Sequence, residues 1–191
     1  MSFLSIKMSL KLQHNITNKH LMKKYLFTIL LSLFGLSTLL AQNNSEEDLR
    51  RMFLYHFIKY IDWPDDDTNT DFNIAVLNDN TMYQLLKSTL ENAERKGRKI
   101  LISKINASDD IDDFQVVYIP RNQSKHFATL HKKSTDLNLL FITDKNGIIE
   151  EGSCINFKTK GNKLRFEINL KVLEERGLKV AGRLKQVAIL I

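Results

Sequence analysis

Cysteine, proline and glycine are scarce in this 191-residue chain, which has 1 Cys, 2 Pro and 7 Gly. The single Cys154 excludes a fold held by intrachain disulfides. The low glycine and proline content excludes a collagenous or low-complexity chain. Apolar residues make up 43% of the sequence and charged residues 26%, which is typical of a globular protein. We expect Cys154 to be a small buried side chain, and the alternative is an exposed thiol that pairs with another chain.

An excess of positive charge is also lacking in most of the chain. The formal charge of +6 arises near the amino terminus, where five of the 28 basic residues and none of the 22 acidic residues precede Gln42. From Gln42 onward, 23 basic residues stand against 22 acidic ones, a formal charge of +1. We therefore expect no nucleic-acid partner, because such binding requires basic surface that neutralises phosphates.

Long apolar runs are absent except for one near the amino terminus. Lys23-Lys24 precedes an uncharged run of 16 residues, 25–40, and a polar, acidic stretch follows Ala41. This order of basic, apolar and small residues predicts a secretory signal peptide that is cleaved near Ala41. The alternative is an uncleaved amino-terminal anchor, although the run is shorter than the roughly 20 residues of a membrane span.

The segment before this leader, residues 1–21, resembles no targeting sequence. We therefore expect the natural start to be Met22 and residues 1–41 to be an extension plus a signal peptide. The remaining 150 residues, 42–191, have the length of a single domain.

Apolar periodicity predicts an α/β fold with a central, mostly parallel sheet flanked by helices and a C-terminal antiparallel hairpin. Strands and helices alternate up to Gly147, and two strands joined by a turn at Gly161-Asn162 follow. The predicted strands are 71–77, 100–105, 115–119, 137–143, 153–158 and 163–169. The predicted helices are 46–63, 80–90, 125–133, 170–176 and 182–190.

The first predicted helix is unusually apolar. One face carries Phe53, Phe57, Tyr60 and Ile61, and a second stripe formed by Leu54 and Ile58 lies some 100° around the axis. The helix is therefore either buried on two sides or presents an apolar strip to a partner. The candidate partner-binding residues are Leu54, Ile58 and Trp63, with Trp63 as a core residue being the alternative.

Catalytic and metal-binding patterns are missing. The histidines His56, His126 and His131 have no metal-ligand spacing, and neither a nucleophile motif nor a glycine-rich phosphate loop occurs. We therefore predict no enzyme activity, no metal and no cofactor. On the predicted hairpin, Arg165 and Glu167 share one strand face with Asn169, which is either a paired exposed face or a polar binding surface.

Seven segments along the chain carry a resemblance to known proteins. They are Phe57-Ile-Lys-Tyr-Ile-Asp-Trp63-Pro64, Gly97-Arg98, Val116-Val-Tyr-Ile119, Leu140-Phe-Ile-Thr-Asp144, Gly152-Ser-Cys-Ile-Asn-Phe157, Leu164-Arg-Phe-Glu-Ile-Asn169 and Gly177-Leu-Lys-Val-Ala-Gly-Arg-Leu184. Together these segments resemble one family of periplasmic proteins, the YfiR-like (YfiR/HmsC-like) family. The resemblance covers almost all of residues 48–188, and its most specific parts are the helix that ends in Trp-Pro and the hairpin.

The resemblance implies an α/β domain in the periplasm, often dimeric and without known catalysis. The best-studied members repress the sensory domain of an inner-membrane diguanylate cyclase and so restrain cyclic di-GMP synthesis and biofilm formation. Those members use paired cysteines, and a chain with Cys154 alone cannot run an intramolecular disulfide switch.

Two functions follow as hypotheses from the residues and the resemblance. The first is an exported regulatory protein whose partner is the sensory domain of a membrane signalling protein, with a homodimer possible. The alternative is a periplasmic sensor of a small anionic molecule without a cyclase partner. Its polar ligand face would consist of Arg98, Arg165, Glu167, Asn169 and Arg183.

Overall fold

The computed structural model describes residues 46–64 and 70–191. Residues 46–191 group into one compact unit. The predicted signal peptide, its cleavage site and the expected start at Met22 lie outside the described residues. Within the described ranges, no helix combines the length and the apolar character that a bilayer span requires.

Helices and strands alternate along the described chain. The first helix, α1, covers residues 46–60. The other helices are α2 (Asn80–Leu90), α3 (Phe127–Lys133, preceded by a 3-10 turn at Arg121–His126), α4 (Leu170–Glu175) and α5 (Gly182–Lys185). The strands are β1 (Ile61–Asp62), β2 (Phe72–Leu77), β3 (Glu94–Arg95), β4 (Arg98–Ile105), β5 (Val116–Ile119), β6 (Leu140–Thr143), β7 (Ile155–Lys160), β8 (Lys163–Ile168), β9 (Lys179–Val180) and β10 (Ile189–Leu190).

An eight-stranded mixed sheet forms the centre of the fold, in the order β10-β8-β7-β6-β5-β2-β4-β3. Strands β4, β2, β5, β6 and β7 are mutually parallel, and β8 returns antiparallel to β7. The predicted fold class is therefore confirmed. After β2 the chain crosses to β4 on one side and later returns to β5 on the other side. The carboxyl ends of β2 and β5 consequently flank a topological switch point, where parallel α/β sheets open a crevice.

Helices cover both faces of this sheet. On one face, the Phe57 ring of α1 stands edge-on to Phe166 of β8 at 4.9 Å, and Phe53 lies 5.1 Å from the same ring. On the other face, Phe127 of α3 stands edge-on to Phe141 of β6 at 5.5 Å. These aromatic contacts anchor the helices because large rings bury much apolar area.

Local signals in the sequence set several element ends. The Asp79 carboxylate accepts a hydrogen bond from the Met82 backbone N–H at 3.0 Å and caps α2. Gly161 has φ +61° in the turn between β7 and β8, and Gly177 has φ +69° after α4. Both positions favour glycine because a Cβ disfavours the left-handed region.

Two predicted helices are shorter in the structure than expected. Helix α1 ends at Tyr60, and β1 pairs antiparallel with β9. Likewise, the predicted helix 182–190 stops at Lys185, and β10 lies parallel to β8. In both cases pairing with a strand distant in sequence outweighs the local helical pattern.

Candidate functional site

Leu54 and Ile58 are not surface residues. Their side chains are 1% and 3% exposed and belong to the core. The expectation that they form an outer stripe for a partner is therefore wrong, and the other alternative, a helix buried on two sides, describes α1 correctly.

The second side of α1 packs beside α2 and the edge strand β3. Arg51 of α1 donates from Nη1 to the Thr89 hydroxyl of α2 at 2.9 Å. Arg95 of β3 donates from Nε to the carbonyl oxygen of Ile58 at 2.8 Å. These two contacts place α2 and β3 beside the part of α1 that carries Leu54 and Ile58.

Trp63 is a core residue as well. It is 5% exposed, and its ring stands edge-on to Phe72 at 5.0 Å. The Arg95 guanidinium carbon lies 4.7 Å from the Trp63 ring centroid, a cation–π distance. Trp63 therefore anchors the segment after α1 instead of presenting a ring to a partner.

The exposed apolar residues of α1 are Leu49, Met52 and Tyr55, which are 40%, 45% and 38% exposed. They follow one another at intervals of three residues; Met52 and Tyr55 lie on the side of the helix away from Phe57, and Leu49 lies at the edge of that side. We call these three residues the α1 outer surface. Met and Tyr are enriched at protein interfaces, so this surface has the composition of a contact patch.

Aromatic and basic side chains border the α1 outer surface towards the end of the helix. The His56 ring stacks on Tyr60 at 5.7 Å, with an interplanar angle of 12°. The Lys59 ammonium lies 5.9 Å from the Tyr55 ring centroid. The surface thus combines an apolar centre with a positively charged edge, as interfaces with a polar rim do.

The α1 outer surface could not be found from the sequence once Leu54 and Ile58, the second apolar stripe, were predicted to face solvent. A signal was nevertheless available in Met52 and Tyr55, which lie outside both the face of Phe53 and Phe57 and the stripe of Leu54 and Ile58. A helix with two apolar stripes packs against two neighbouring elements. The apolar residues that lie outside both stripes are then exposed to solvent.

The proposed polar ligand face is not assembled. Arg98 lies on β4 and Arg165 on β8, with four strands between them in the sheet. At about 4.8 Å per strand spacing, this separation is roughly 24 Å. Arg98 is only 5% exposed and donates to the backbone oxygens of Thr70 and Asp71 at 2.8 and 2.9 Å. The expectation of a shared anion site is therefore wrong.

Glu167 lies inside a hydrogen-bond network of the hairpin. It is 2% exposed, accepts from the Asn156 side-chain amide at 3.1 Å and pairs with the Lys158 ammonium. Asn156 in turn accepts from the Thr143 hydroxyl at 2.8 Å. Across the hairpin, Asn156 is paired with Glu167 and Lys158 with Arg165.

The other two members of the polar set have separate roles. The Asn169 side chain accepts from the Val172 backbone N–H at 3.1 Å and caps α4. Arg183 is an exposed residue of α5. Neither residue completes a site with Glu167, whose carboxylate oxygens are already bonded within the hairpin.

Cys154 is fully buried, as expected for a small core residue. Its thiol lies 3.8 Å from the Leu139 carbonyl oxygen, and burial raises its pKa to about 11. A neutral, buried thiol is unreactive. The alternative of an exposed thiol that pairs with another chain is therefore wrong for this fold.

His131 lies close to the backbone of Gly152, and burial, together with the nearby Arg176, lowers the pKa of its imidazole. Across residues 46–64 and 70–191, no three His, Cys, Asp or Glu side chains are grouped so that they could hold one metal ion.

Comparison with known proteins identifies one family. The family described as YfiR/HmsC-like matches residues 47–189, a range that runs from the second residue of α1 to the first residue of β10. No curated protein matches the chain.

Proposed function

Because the chain belongs to the YfiR/HmsC-like family, we propose that it is an exported protein that restrains a membrane signalling protein. Members of this family are periplasmic, non-catalytic regulators of cyclase-type signalling. The finer proposal is that this chain binds the periplasmic sensory domain of an inner-membrane diguanylate cyclase. Binding would hold that cyclase in its inactive state and so limit cyclic di-GMP synthesis and biofilm formation.

The observation that supports this proposal most is the extent of the family match. It covers residues 47–189, nearly the whole of the domain, and not a single motif. The predicted signal peptide, 25–40 with its preceding lysines, agrees with a site of action outside the cytoplasm.

The α1 outer surface is the proposed contact for the partner. Leu49, Met52 and Tyr55 are each at least 38% exposed, although the same helix buries Leu54, Phe57 and Ile58. A partner that covers these side chains gains about 25 cal/mol per Å² of apolar area removed from water. The core side of α1 also holds the helix rigidly, so little conformational entropy is lost on binding.

A genetic experiment tests the regulatory function. In the natural host, deletion of the gene should raise the cellular cyclic di-GMP concentration several-fold, and the intact gene should restore it. A gene that encodes Met52→Lys should fail to restore it, because a charge then lies at the centre of the α1 outer surface. An unchanged cyclic di-GMP concentration after deletion would contradict a cyclase partner.

A matched variant controls for general effects of surface change. Val187 is 57% exposed but lies between α5 and β10, away from α1 in the sequence. Val187→Lys should restore the cyclic di-GMP concentration as the wild type does. Equal failure of both variants would show that the α1 outer surface has no special role.

A further inference from the structure

Strand β4 is an edge strand along most of its length. It has eight residues and pairs on one side with β2. On its other side, the two-residue strand β3 pairs only with Arg98 and Lys99, and the Ile100 N–H donates to the Ala93 carbonyl oxygen at 3.2 Å. Among the residues that the structure describes, no strand pairs with this side of β4 beyond that point. We call residues 101–105 of β4 the open edge.

Alternate residues of the open edge direct their backbone groups away from β2. Since the Ile100 N–H points to the β3 side, the N–H and C=O groups of Ile102 and Lys104 point to that side as well. The Ile105 carbonyl oxygen, in the opposite phase, accepts from the Asn78 N–H on the β2 side at 2.9 Å. Within the described ranges, two N–H donors and two carbonyl acceptors at Ile102 and Lys104 therefore have no backbone partner. Such an edge is a template for an added strand.

The space beside the open edge is not filled by the neighbouring helix. A cavity of about 350 Å³ lies between residues 99–103 of β4 and the end of α2, where Lys87, Glu91 and Asn92 line it. A strand added at the usual spacing of about 4.8 Å would run along this cavity. The backbone groups of the edge are therefore accessible to an extended segment.

The two faces of the open edge carry different side chains. The Lys104 ammonium donates to the side-chain oxygen of Asn80, at the start of α2, at 3.4 Å. Because side chains alternate along a strand, Ile102 and Lys104 face α2, and Leu101 and Ser103 face the other side. Leu101 is 37% exposed there. A strand that adds to β4 thus meets a lysine on one face and an exposed leucine on the other.

The charges around the open edge are mostly positive. Of the residues that line the cavity or belong to the edge, Lys87, Lys99 and Lys104 are basic and Glu91 is acidic. In the described part of the chain, none of these three lysines forms an ion pair, and the Lys87 ammonium lies 5.8 Å from the Tyr83 ring centroid. Acidic side chains are the complement of such a surface.

We propose that the open edge binds an extended, acidic segment of another protein, which adds to the sheet as a further strand. The backbone of this segment hydrogen-bonds to Ile102 and Lys104. Its acidic side chains lie on the α2 face, near Lys87 and Lys104, and its apolar side chains lie beside Leu101. The inference goes beyond the proposed function and does not depend on it, because the open edge and the α1 outer surface share no residue.

A second copy of the chain is a poorer occupant of the open edge. Two copies that pair antiparallel through Ile102 and Lys104 place the two Lys104 side chains directly opposite or diagonal to each other, and like charges there are destabilising. The remaining register places Lys104 opposite Ile100, where Ala93 already bonds. Charge and space therefore both favour a different, acidic partner.

Binding of a synthetic peptide to the purified protein at low ionic strength tests the proposal. The peptide alternates valine with glutamate over about eight residues, a common strand length, and both of its ends are blocked. We expect saturable binding with a dissociation constant below about 1 mM, measured by fluorescence anisotropy. Hydrogen exchange followed by nuclear magnetic resonance should slow at the Ile102 and Lys104 amides. The Ser103 amide, which points to β2, should not change.

Three modified peptides separate strand addition from simple charge attraction. In one, every glutamate amide is N-methylated, and in another every valine amide, so that each lacks the donors on one edge of the strand. One of these two should bind as the parent does and the other should not bind. A third peptide, with lysine in place of glutamate, should not bind. Equal binding of the two methylated peptides, or binding of the lysine peptide as tight as that of the parent, would overturn the proposal.

A charge reversal on the protein completes the test. Lys104→Glu should raise the dissociation constant of the parent peptide about fivefold or more, because it replaces an attraction by a repulsion. Lys171→Glu is the matched control, since Lys171 is an exposed lysine of α4, beyond β8 at the other end of the sheet. It should leave the dissociation constant unchanged, and thermal melts should confirm that both variants fold.

Several results would contradict strand addition at the open edge. They are the absence of saturable peptide binding, an equal loss of affinity in both variants, and unchanged hydrogen exchange at Ile102 and Lys104. Self-association of the protein that protects these two amides without any peptide would also overturn the proposal, since the occupant would then be a second copy.

Discussion

The Nε atom of Arg95 donates a hydrogen bond to the carbonyl oxygen of Ile58, 2.8 Å away, and so holds the last turn of α1 against the sheet edge. The same guanidinium reaches the carbonyl oxygen of Ile61 at 2.6 Å through Nη2. Charge-assisted bonds to free carbonyls at the end of a helix stabilise that end, where no intrahelical partner is available. Helix α1 is therefore enclosed by the sheet, by α2 and by β3.

This enclosure makes α1 sensitive to substitution on both of its apolar stripes. Phe57→Ala should lower the free energy of unfolding by about 3 to 5 kcal/mol, because it leaves a cavity beside Phe166. Ile58→Asp should be at least as destabilising, because it buries a charge that has no partner. Chemical denaturation followed by circular dichroism measures both effects.

Met52→Asp is the control for these two variants, since Met52 is 45% exposed on the same helix. It should change the free energy of unfolding by less than about 0.5 kcal/mol. A stably folded Ile58→Asp protein would contradict the enclosure of α1 on its second side.

The buried thiol of Cys154 predicts a specific pH dependence. Burial raises its pKa from 9.0 to about 11 in the folded protein. Between these pH values the unfolded chain loses the thiol proton and the folded chain keeps it, so the free energy of unfolding falls as the pH rises. The contribution is at most about 1.4 kcal/mol per pH unit.

Denaturation of wild type and Cys154→Ala at pH 8 and at pH 10.5 isolates this contribution. Lysines and tyrosines titrate in both proteins, so their effects cancel in the comparison. The wild type should lose more stability than Cys154→Ala over this interval. An equal loss, or rapid alkylation of the folded wild type at pH 8, would show that the thiol is accessible.

Replacement of Gly152 should be more costly than replacement of Gly182. The φ of Gly152 is +108°, and a Cβ at this position would lie 2.7 Å from Nε2 of His131. Gly152→Ala should therefore lower the free energy of unfolding by about 1 to 3 kcal/mol. Gly182 starts α5, and a Cβ at this position would have no neighbouring atom within 4 Å, so Gly182→Ala should be neutral or slightly stabilising. Thermal melts of the two variants make the comparison, and equal melting temperatures would contradict it.

Export can be tested on the chain itself. Intact mass of the protein from an envelope fraction should correspond to an amino terminus close to Gln42. Leu31→Arg should block export, because a charge within the apolar run costs about 2.5 to 3.5 kcal/mol during membrane insertion. Recovery of a cytoplasmic protein that retains residues 23–40 would contradict a cleaved signal peptide.

Much of the fold could be predicted from the sequence because its strongest signals are local. The buried run of β2 and the alternating pattern of β8 each determine a strand, and Asp79 marks the start of α2. The short strands β1 and β10 could not be predicted, since each has two residues whose conformation depends on a partner distant in the sequence.

The candidate site was less predictable for a related reason. Whether Ile58 or Met52 faces solvent depends on how many elements pack against α1. The sequence of α1 alone does not reveal how many there are. Arg98 and Arg165 have the residue type of an anion site, but the strand order places them far apart. Whether a side chain is exposed, and whether two side chains meet at one site, depends on the packing of the whole sheet.

Site-specific cross-linking in the envelope tests the central claim most directly. A photoreactive amino acid at position 52 should cross-link the protein to an inner-membrane signalling protein with a periplasmic sensory domain, identified by mass spectrometry. The same probe at position 187, which is also exposed, should not form this cross-link. Cross-linking of position 52 to no membrane signalling protein, or equal cross-linking from both positions, would contradict a regulator that acts through the α1 outer surface.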